Sequence, residues 1–287
     1  MWVTWVPHIC MLLLPYGEAS IRTYYHQRTA TSPSFDFNRY QPYHKISSYI
    51  QEVARVHPEI ASIILLGRTH EERNLLALKM GSQKNKTQMK QAIWIDGGTH
   101  AREWPSAHAV IYFISQLMKD RKLLESFDWY LMPLINPDGY EFSRSNASDP
   151  MIRLWRKNRS PKRCVYHGMW RRCCQGVDLN RNFHHHHPKN RQADPCSEMY
   201  AGPFPSSEPE TRALEDFFIS QRRSNNNFVA FITLHTYGQE IVYPYGHSFG
   251  IYPLNLFQLR KTALKARDAL KRVYGTHYKV GSTTDLM

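Results

Sequence analysis

Apolar side chains recur along this chain at two spacings, one helical and one strand-like. In "YHKISSYIQEVARVHP" the apolar positions Ile46, Ile50, Val53 and Ala54 fall near helical spacing, and Pro58 stops the run. "ASIILLGRT" and "NLLALKMG" read as two strands joined by the polar turn "HEERN". "QAIWIDGG" is a further strand, closed by paired glycines. A helix over "PSAHAVIYFISQLMKD" follows, with Pro105 in its first turn, where a missing N–H costs nothing. Ala107, Val110, Ile111, Ile114, Leu117 and Met118 would line its buried face. "FDWYLMPLIN" is again strand-like and is expected to close in the turn "NPDG". "SSEPETRALEDFFISQR" reads as a helix whose acidic first turn suits the helix dipole. "NNFVAFITLHTYG" predicts a strand and "LFQLRKTALKARDALKRVYG" a long basic helix. Strands alternating with helices imply an α/β fold, a mixed twisted sheet covered by helices on both faces. In such sheets, functional sites gather where strands end and loops begin.

The first 19 residues, "MWVTWVPHICMLLLPYGEA", break this alternation. They resemble a signal peptide cut after Ala19, although no Lys or Arg precedes the apolar part and Pro7 and His8 interrupt it. The stretch is too short to span a bilayer, so no stable membrane insertion is expected. Residues 20–40 are polar and aromatic without periodicity and read as a linker. Nothing beyond them repeats, and no Gly/Ser linker divides the chain, so one domain and a monomer are expected.

The formal charge of +13 allows polyanion binding or simply a solvated basic surface. The densest basic run, Arg153 to Arg172, is interrupted by cysteines and by "RLWRKNR", which favours the solvated reading; no nucleic-acid partner is expected. Of the cysteines, Cys164, Cys173, Cys174 and Cys196 lie in one short region without a C-x-x-C pair, which argues against a structural zinc site of that type. Disulfides are the alternative if the chain is secreted. Sequons at Asn85, Asn146 and Asn158 agree with a secreted, extracellular protein.

The chemistry begins at "GGTHAREWPS". His100 and Glu103 follow a strand at a spacing that can grip a divalent ion, but His-x-x-Glu alone is a weak signal. His235, in "ITLHTYG", lies near the end of another strand. Together the three supply two imidazoles and one carboxylate, a set that suits one zinc ion with an open fourth position. Its net positive charge would polarise a carbonyl.

Six segments, "GGTHAREW", "NPDGYEFS", "RLWRKNRS", "GVDLNRNF", "PCSEMYAGPFPSSEPET" and "LHTYGQEIVYPYG", occur in one order and spacing. On them the chain resembles a zinc metallocarboxypeptidase of the M14 family, A/B type, from roughly Phe35 to Met287. The resemblance implies a domain over 35–287, preceded by a linker at 20–34 and no full propeptide domain. It implies removal of the last residue from peptide or protein C-termini, with His100, Glu103 and His235 as ligands of one Zn2+. Asp178 would orient the first histidine, whose ring must hold one tautomer. Arg156 would polarise the scissile carbonyl, where charge develops in the tetrahedral state. Asn180 and Arg181 would clamp the terminal carboxylate, which an internal peptide bond lacks. Arg102 and Tyr237 match outer subsites. Gly246, where basic-specific relatives tend to carry Ser, leans toward apolar or aromatic C-terminal residues. Cys174 and Cys196 match a family disulfide. Cys164 and Cys173 lie in an apparent insertion, their pairing left open. "HHHH" at 184–187 falls inside the Cys174–Cys196 loop, as a solvated tract or an opportunistic metal binder.

The family's general-base glutamate sits in a strand beyond the third ligand, and this sequence ends at "YKVGSTTDLM". The expectation is an incomplete domain, lacking the C-terminal strand and helix, with an unpaired sheet edge and little activity. Losing a general acid–base costs a factor of about 10²–10⁴. The rival readings are a non-catalytic zinc- or peptide-binding remnant and a basic polyanion-binding protein on the same fold.

Overall fold

The computed structural model describes residues 9–14, 33–82, 90–167, 169–188, 194–224 and 226–286. The elements in chain order are β1 (Ile9–Leu14), α1 (Tyr43–Val56), β2 (Ala61–Arg68), β3 (Asn74–Met80), β4 (Gln91–Asp96), α2 (Trp104–Lys119), α3 (Lys122–Ser126) and β5 (Phe127–Met132). There follow α4 (Pro137–Ser145), α5 (Pro150–Arg153), β6 (Arg163–His167), β7 (Trp170–Cys174), a 3-10 turn at Leu179–Arg181, α6 (Pro209–Arg223) and β8 (Phe228–Thr236). The chain closes with β9 (Glu240–Tyr243), α7 (Leu256–Tyr274), β10 (Lys279–Ser282) and α8 (Thr283–Leu286). One mixed sheet runs in the order β10-β9-β1-β8-β4-β5-β3-β2, and β6 and β7 form a separate hairpin.

Period-two alternation sorts the strand side chains onto two faces. Leu76, Leu78, Ile95 and Leu131 join Ile46, Ile50 and Val53 of α1 and Val110, Ile111 and Ile114 of α2 in one core. Their neighbours Leu75, Ala77, Trp94, Tyr130 and Met132 point the other way, onto Leu214 of α6 and the Phe217 and Phe218 rings. Helices therefore cover both faces, and β4 and β8, parallel and adjacent, run between them with their C-terminal ends together.

Two expectations need correction. "NPDG" does not close a strand: β5 ends at Met132, and Asn136 caps α4, its side chain accepting the Gly139 N–H at 2.9 Å. Pro137 and Asp138 open that helix because Pro suits a first turn and an acid suits the dipole there. Residues 35–40 are more than linker, since Phe35 and Phe37 pack onto the α1/α2 core. β1, from the stretch that resembles a leader, runs parallel to β8 and antiparallel to β9.

The disulfide Cys174–Cys196 is formed, as the resemblance implies, and Cys164 bonds Cys173 across the β6–β7 hairpin, where the two residues stand opposite each other. Asn146 is exposed, whereas Asn158 is fully buried, so its sequon offers no acceptor on the folded chain. Asn85 and residues 15–19 lie outside the described residues. Among the described residues no helix is long and apolar enough to cross a membrane.

Candidate metal centre

The loop after β4 turns on Gly97 and Gly98. A Cβ at Gly97 would meet the Ser106 carbonyl oxygen at 2.6 Å, and Gly98 takes φ +65°. Two glycines thus let α2 sit close against the strand end. Ser106 completes the turn, accepting the Gly98 N–H at 2.9 Å and donating to the Glu103 carbonyl at 2.7 Å. That geometry presents His100 and Glu103 at the mouth of the sheet, and β8 delivers His235 to the same point from the neighbouring strand end.

All three side chains are buried, at 4%, 6% and 3% exposure. His100 Nδ1 lies 2.8 Å from Glu103 Oε1, His235 Nδ1 lies 2.9 Å from Glu103 Oε2, and the two Nδ1 atoms are 3.0 Å apart. The backbone N–H of Thr236 also donates to Glu103 Oε2 at 3.2 Å. Two like ring nitrogens facing each other at this distance need a shared proton or a cation between them. Each Nε2 is turned away: that of His100 stands 3.3 Å from Asp178 Oδ1, and that of His235 stands 3.4 Å from the Thr233 hydroxyl. With two imidazoles and one carboxylate converging and the far nitrogens turned toward Asp178 and Thr233, the residues fit a zinc-type divalent ion.

The electrostatics agree with that convergence. Burial works to raise the Glu103 carboxyl, and the His100 and His235 rings reverse this and hold it well below the usual carboxylate range. Asp178 follows the same pattern, with burial outweighed by His100, Arg156 and Arg181. Burial lowers His235. For His100 burial is overcome by Glu103 and Asp178, and its affinity for a proton rises.

Model of the zinc carboxypeptidase family and chain match over residues 46–287. The chain belongs to the zinc carboxypeptidase family. It is 32% identical over 281 residues to human carboxypeptidase A6, covering 93% of this chain and 58% of that protein. To carboxypeptidase B of Astacus astacus it is 35% identical over 255 residues, covering 87% and 78%. The inactive metallocarboxypeptidase ecm14 of Talaromyces stipitatus is 34% identical over 261 residues, covering 87% of this chain and 42% of the relative. The chain thus spans about half the length of several curated relatives it matches. Among solved structures, carboxypeptidase A from Helicoverpa armigera superposes with TM-score 0.78 at 28% identity, covering 91% of this chain and 62% of the other. Bovine thrombin-activatable fibrinolysis inhibitor, in complex with tick carboxypeptidase inhibitor, superposes with TM-score 0.73 at 33% identity, covering 86% and 77%.

Within this zinc carboxypeptidase fold, the remaining expected site residues have defined places. Asp178 caps the 3-10 turn at Leu179–Arg181 and accepts the Asn180 N–H on Oδ1 at 3.0 Å. Arg156 Nε and Nη2 both donate to Asp178 Oδ2. The Arg156 carbonyl accepts the Ala101 N–H, tying this loop to the one carrying His100. Arg181 donates to the Asn180 carbonyl. Arg102 donates to the Leu154 carbonyl and pairs with Glu198. Tyr237 stands 77% exposed. A Cβ at Gly246 would come within 2.9 Å of Thr283 Cγ2 at the start of α8.

Much of the basic run is engaged inside the fold. Lys157 is buried and donates to the Pro195 carbonyl, and Arg153 and Arg159 lie over the Trp104 and Phe142 rings at 3.6 and 3.7 Å. Reading the sequence missed several residues that hold the site. Asn158 binds Val177 N–H through its Oδ1, and both Glu208 and Glu210 through its Nδ2. Asn136 donates to the Thr99 and Lys157 carbonyls. An Asn before Pro is a cap signal that was there to be used; for Asn158 no local signal exists, because its partners are distant in sequence.

Proposed function

We propose that this chain binds one zinc ion at His100, Glu103 and His235 and acts on the C-terminal peptide bond of peptides and proteins. The convergence of His100 Nδ1, His235 Nδ1 and both Glu103 oxygens within 3.0 Å carries the reading. A divalent ion held there supplies a Lewis acid to the scissile carbonyl. Asp178 sets the direction of the His100 ring and stations Arg156 beside it. Arg156, released toward substrate, stabilises the developing oxyanion. Asn180 and Arg181 receive the terminal carboxylate, a planar group that a guanidinium can hold through two parallel bonds.

Among the described residues the carboxylates touching the cluster are Glu103 and Asp178, and both are already engaged. The Asp285 carboxylate accepts from the Tyr252 hydroxyl, and its backbone N–H donates to the Ser282 hydroxyl. The same observation favours a second reading, zinc and carboxylate binding without turnover. Two disulfides support a secreted, extracellular protein.

The test expresses the chain as given, measures zinc by elemental analysis, and follows release of C-terminal residues. Stoichiometric zinc with release that Glu103→Ala abolishes supports the first reading. Zinc with carboxylate binding and no release supports the second. Absence of zinc from folded protein would sink both.

A further inference from the structure

The four consecutive histidines at 184–187 do not act as one tract. His184 is drawn to α6, its N–H donating to Glu215 Oε1 at 2.9 Å and its ring lying 3.4 Å from the other oxygen. The His187 ring bonds the Ala201 carbonyl at 3.0 Å. The two between them turn toward a residue sixty positions downstream. His186 stacks on His247 with ring centroids 3.6 Å apart and planes within 9°, while His185 stands perpendicular to both. One ring nitrogen from each of His185, His186 and His247 lies within 4.8 Å of the others. His186 also takes φ +51°, in the left-handed region that few non-glycine residues adopt.

We propose that His185, His186 and His247 form a second metal site, separate from the buried centre, for a borderline divalent transition ion such as Zn2+, Cu2+ or Ni2+. Imidazole is the ligand type these ions share, and three neutral rings with solvent beside them leave room for water as a further ligand. Three imidazoles gathered without a carboxylate repel one another once protonated, so the arrangement favours either neutral rings or a bound cation. Burial, then the neighbouring rings, push His185 and His247 below the ordinary histidine range, which leaves their nitrogens free to donate lone pairs at neutral pH. Nitrogens around a tetrahedral ion stand about 3.4 Å apart, so binding would tilt His186 and His247 out of their parallel stack until their ring nitrogens converge.

The site joins two loops. One lies inside the Cys174–Cys196 disulfide, and the other follows β9 and carries Tyr245 and Gly246. The Tyr245 ring sits 5.1 Å from His247 and 6.0 Å from His185. An ion here would clip the two loops together and stiffen the segment holding Gly246.

The experiment is equilibrium dialysis of the full chain against Zn2+, together with electron paramagnetic resonance of Cu2+ added to the His235→Ala protein, in which the buried centre is disabled. We expect a second zinc equivalent in the wild-type chain, lost in His247→Ala and in the His185→Ala/His186→Ala pair and kept in His184→Ala/His187→Ala. The copper spectrum should show imidazole nitrogen coupling that disappears with His247. The exposed positions of these rings make misfolding an unlikely confounder, and circular dichroism of each variant checks it. The proposal is overturned by absence of a second equivalent, by its survival in His247→Ala, or by its loss only when His184 and His187 are replaced. Because His235→Ala removes the buried centre, failure of that centre and failure of this one are read separately.

Discussion

Both donors of the Arg156 fork, Nε and Nη2, end on the same oxygen of Asp178, each at 2.9 Å. The other oxygen of Asp178 faces His100 Nε2 and accepts the Asn180 N–H. One buried carboxylate therefore aligns a metal-ligand candidate, an arginine and the start of the 3-10 turn at Leu179–Arg181. Asp178→Asn should weaken zinc binding about 10–100-fold, the usual cost of losing a partner behind a ligand histidine. Zinc titration against a competing chelator measures this, and an unchanged affinity would remove Asp178 from the role.

His235→Ala should strip zinc from the buried centre while the chain stays folded, since the other two ligands alone leave the ion half-held. Elemental analysis of dialysed protein is the measurement, with His247→Ala made in parallel to silence the outer histidines. Zinc retained in the double variant would mean that the ion sits elsewhere.

The Cys174–Cys196 bond closes a segment with a sequence separation of 22 residues. In the chain-entropy model a loop of this size stabilises by about 3 kcal/mol. Replacing both cysteines by serine should lower the urea midpoint accordingly, and non-reducing peptide mapping should recover Cys174 with Cys196 and Cys164 with Cys173. Free thiols at these positions in secreted material would contradict the pairing.

β1 fills the slot between β8 and β9. A chain beginning after Ala19 would leave the backbone groups of both neighbours unpaired, and an open edge in mid-sheet invites association with other strands. Deletion of residues 1–19 should lower the melting temperature and raise aggregation. Equal stability with and without them would show that β1 adds nothing and would fit a leader that is simply removed.

His108 predicts a pH dependence. Its Nε2 accepts the Gln41 N–H at 2.7 Å and its Nδ1 faces the Trp104 carbonyl at 3.2 Å, so the neutral ring satisfies both partners. Burial pushes its pKa down to about 4. The unfolded chain binds a proton more readily than the folded one between roughly pH 4 and pH 6.5, so stability falls as pH is lowered through that window. The loss attributable to this residue is about 1–3 kcal/mol. His108→Gln should flatten the decline between pH 7 and pH 4.5 in urea titrations, and an identical slope in the variant would refute the assignment.

Strand and helix positions were legible because periodicity is local. The β3, β4 and α2 runs carry their apolar residues at the spacing that burial later uses. The exceptions are instructive. α4 went unread because its short, polar sequence contains Asp138, Tyr140 and Ser143, which are buried by contacts from afar rather than by an apolar stripe. Gly246 packs against Thr283, a neighbour that no local pattern reveals.

From residue types and spacing alone came the α/β class, the family resemblance and the identity of His100, Glu103 and His235 as a set worth testing. Those features depend on neighbours a few positions away or on ordered motifs. Which atoms meet depended on the order and register of the sheet, which places β4 beside β8 and so brings residues 135 positions apart to 3.0 Å. The same long-range closure parted the histidine tract, sending His184 and His187 to separate partners and setting His185 and His186 against His247. A side chain's type is written in one position, but its partners are chosen by the whole chain's packing, because contact requires distant backbone segments to be held at fixed separation.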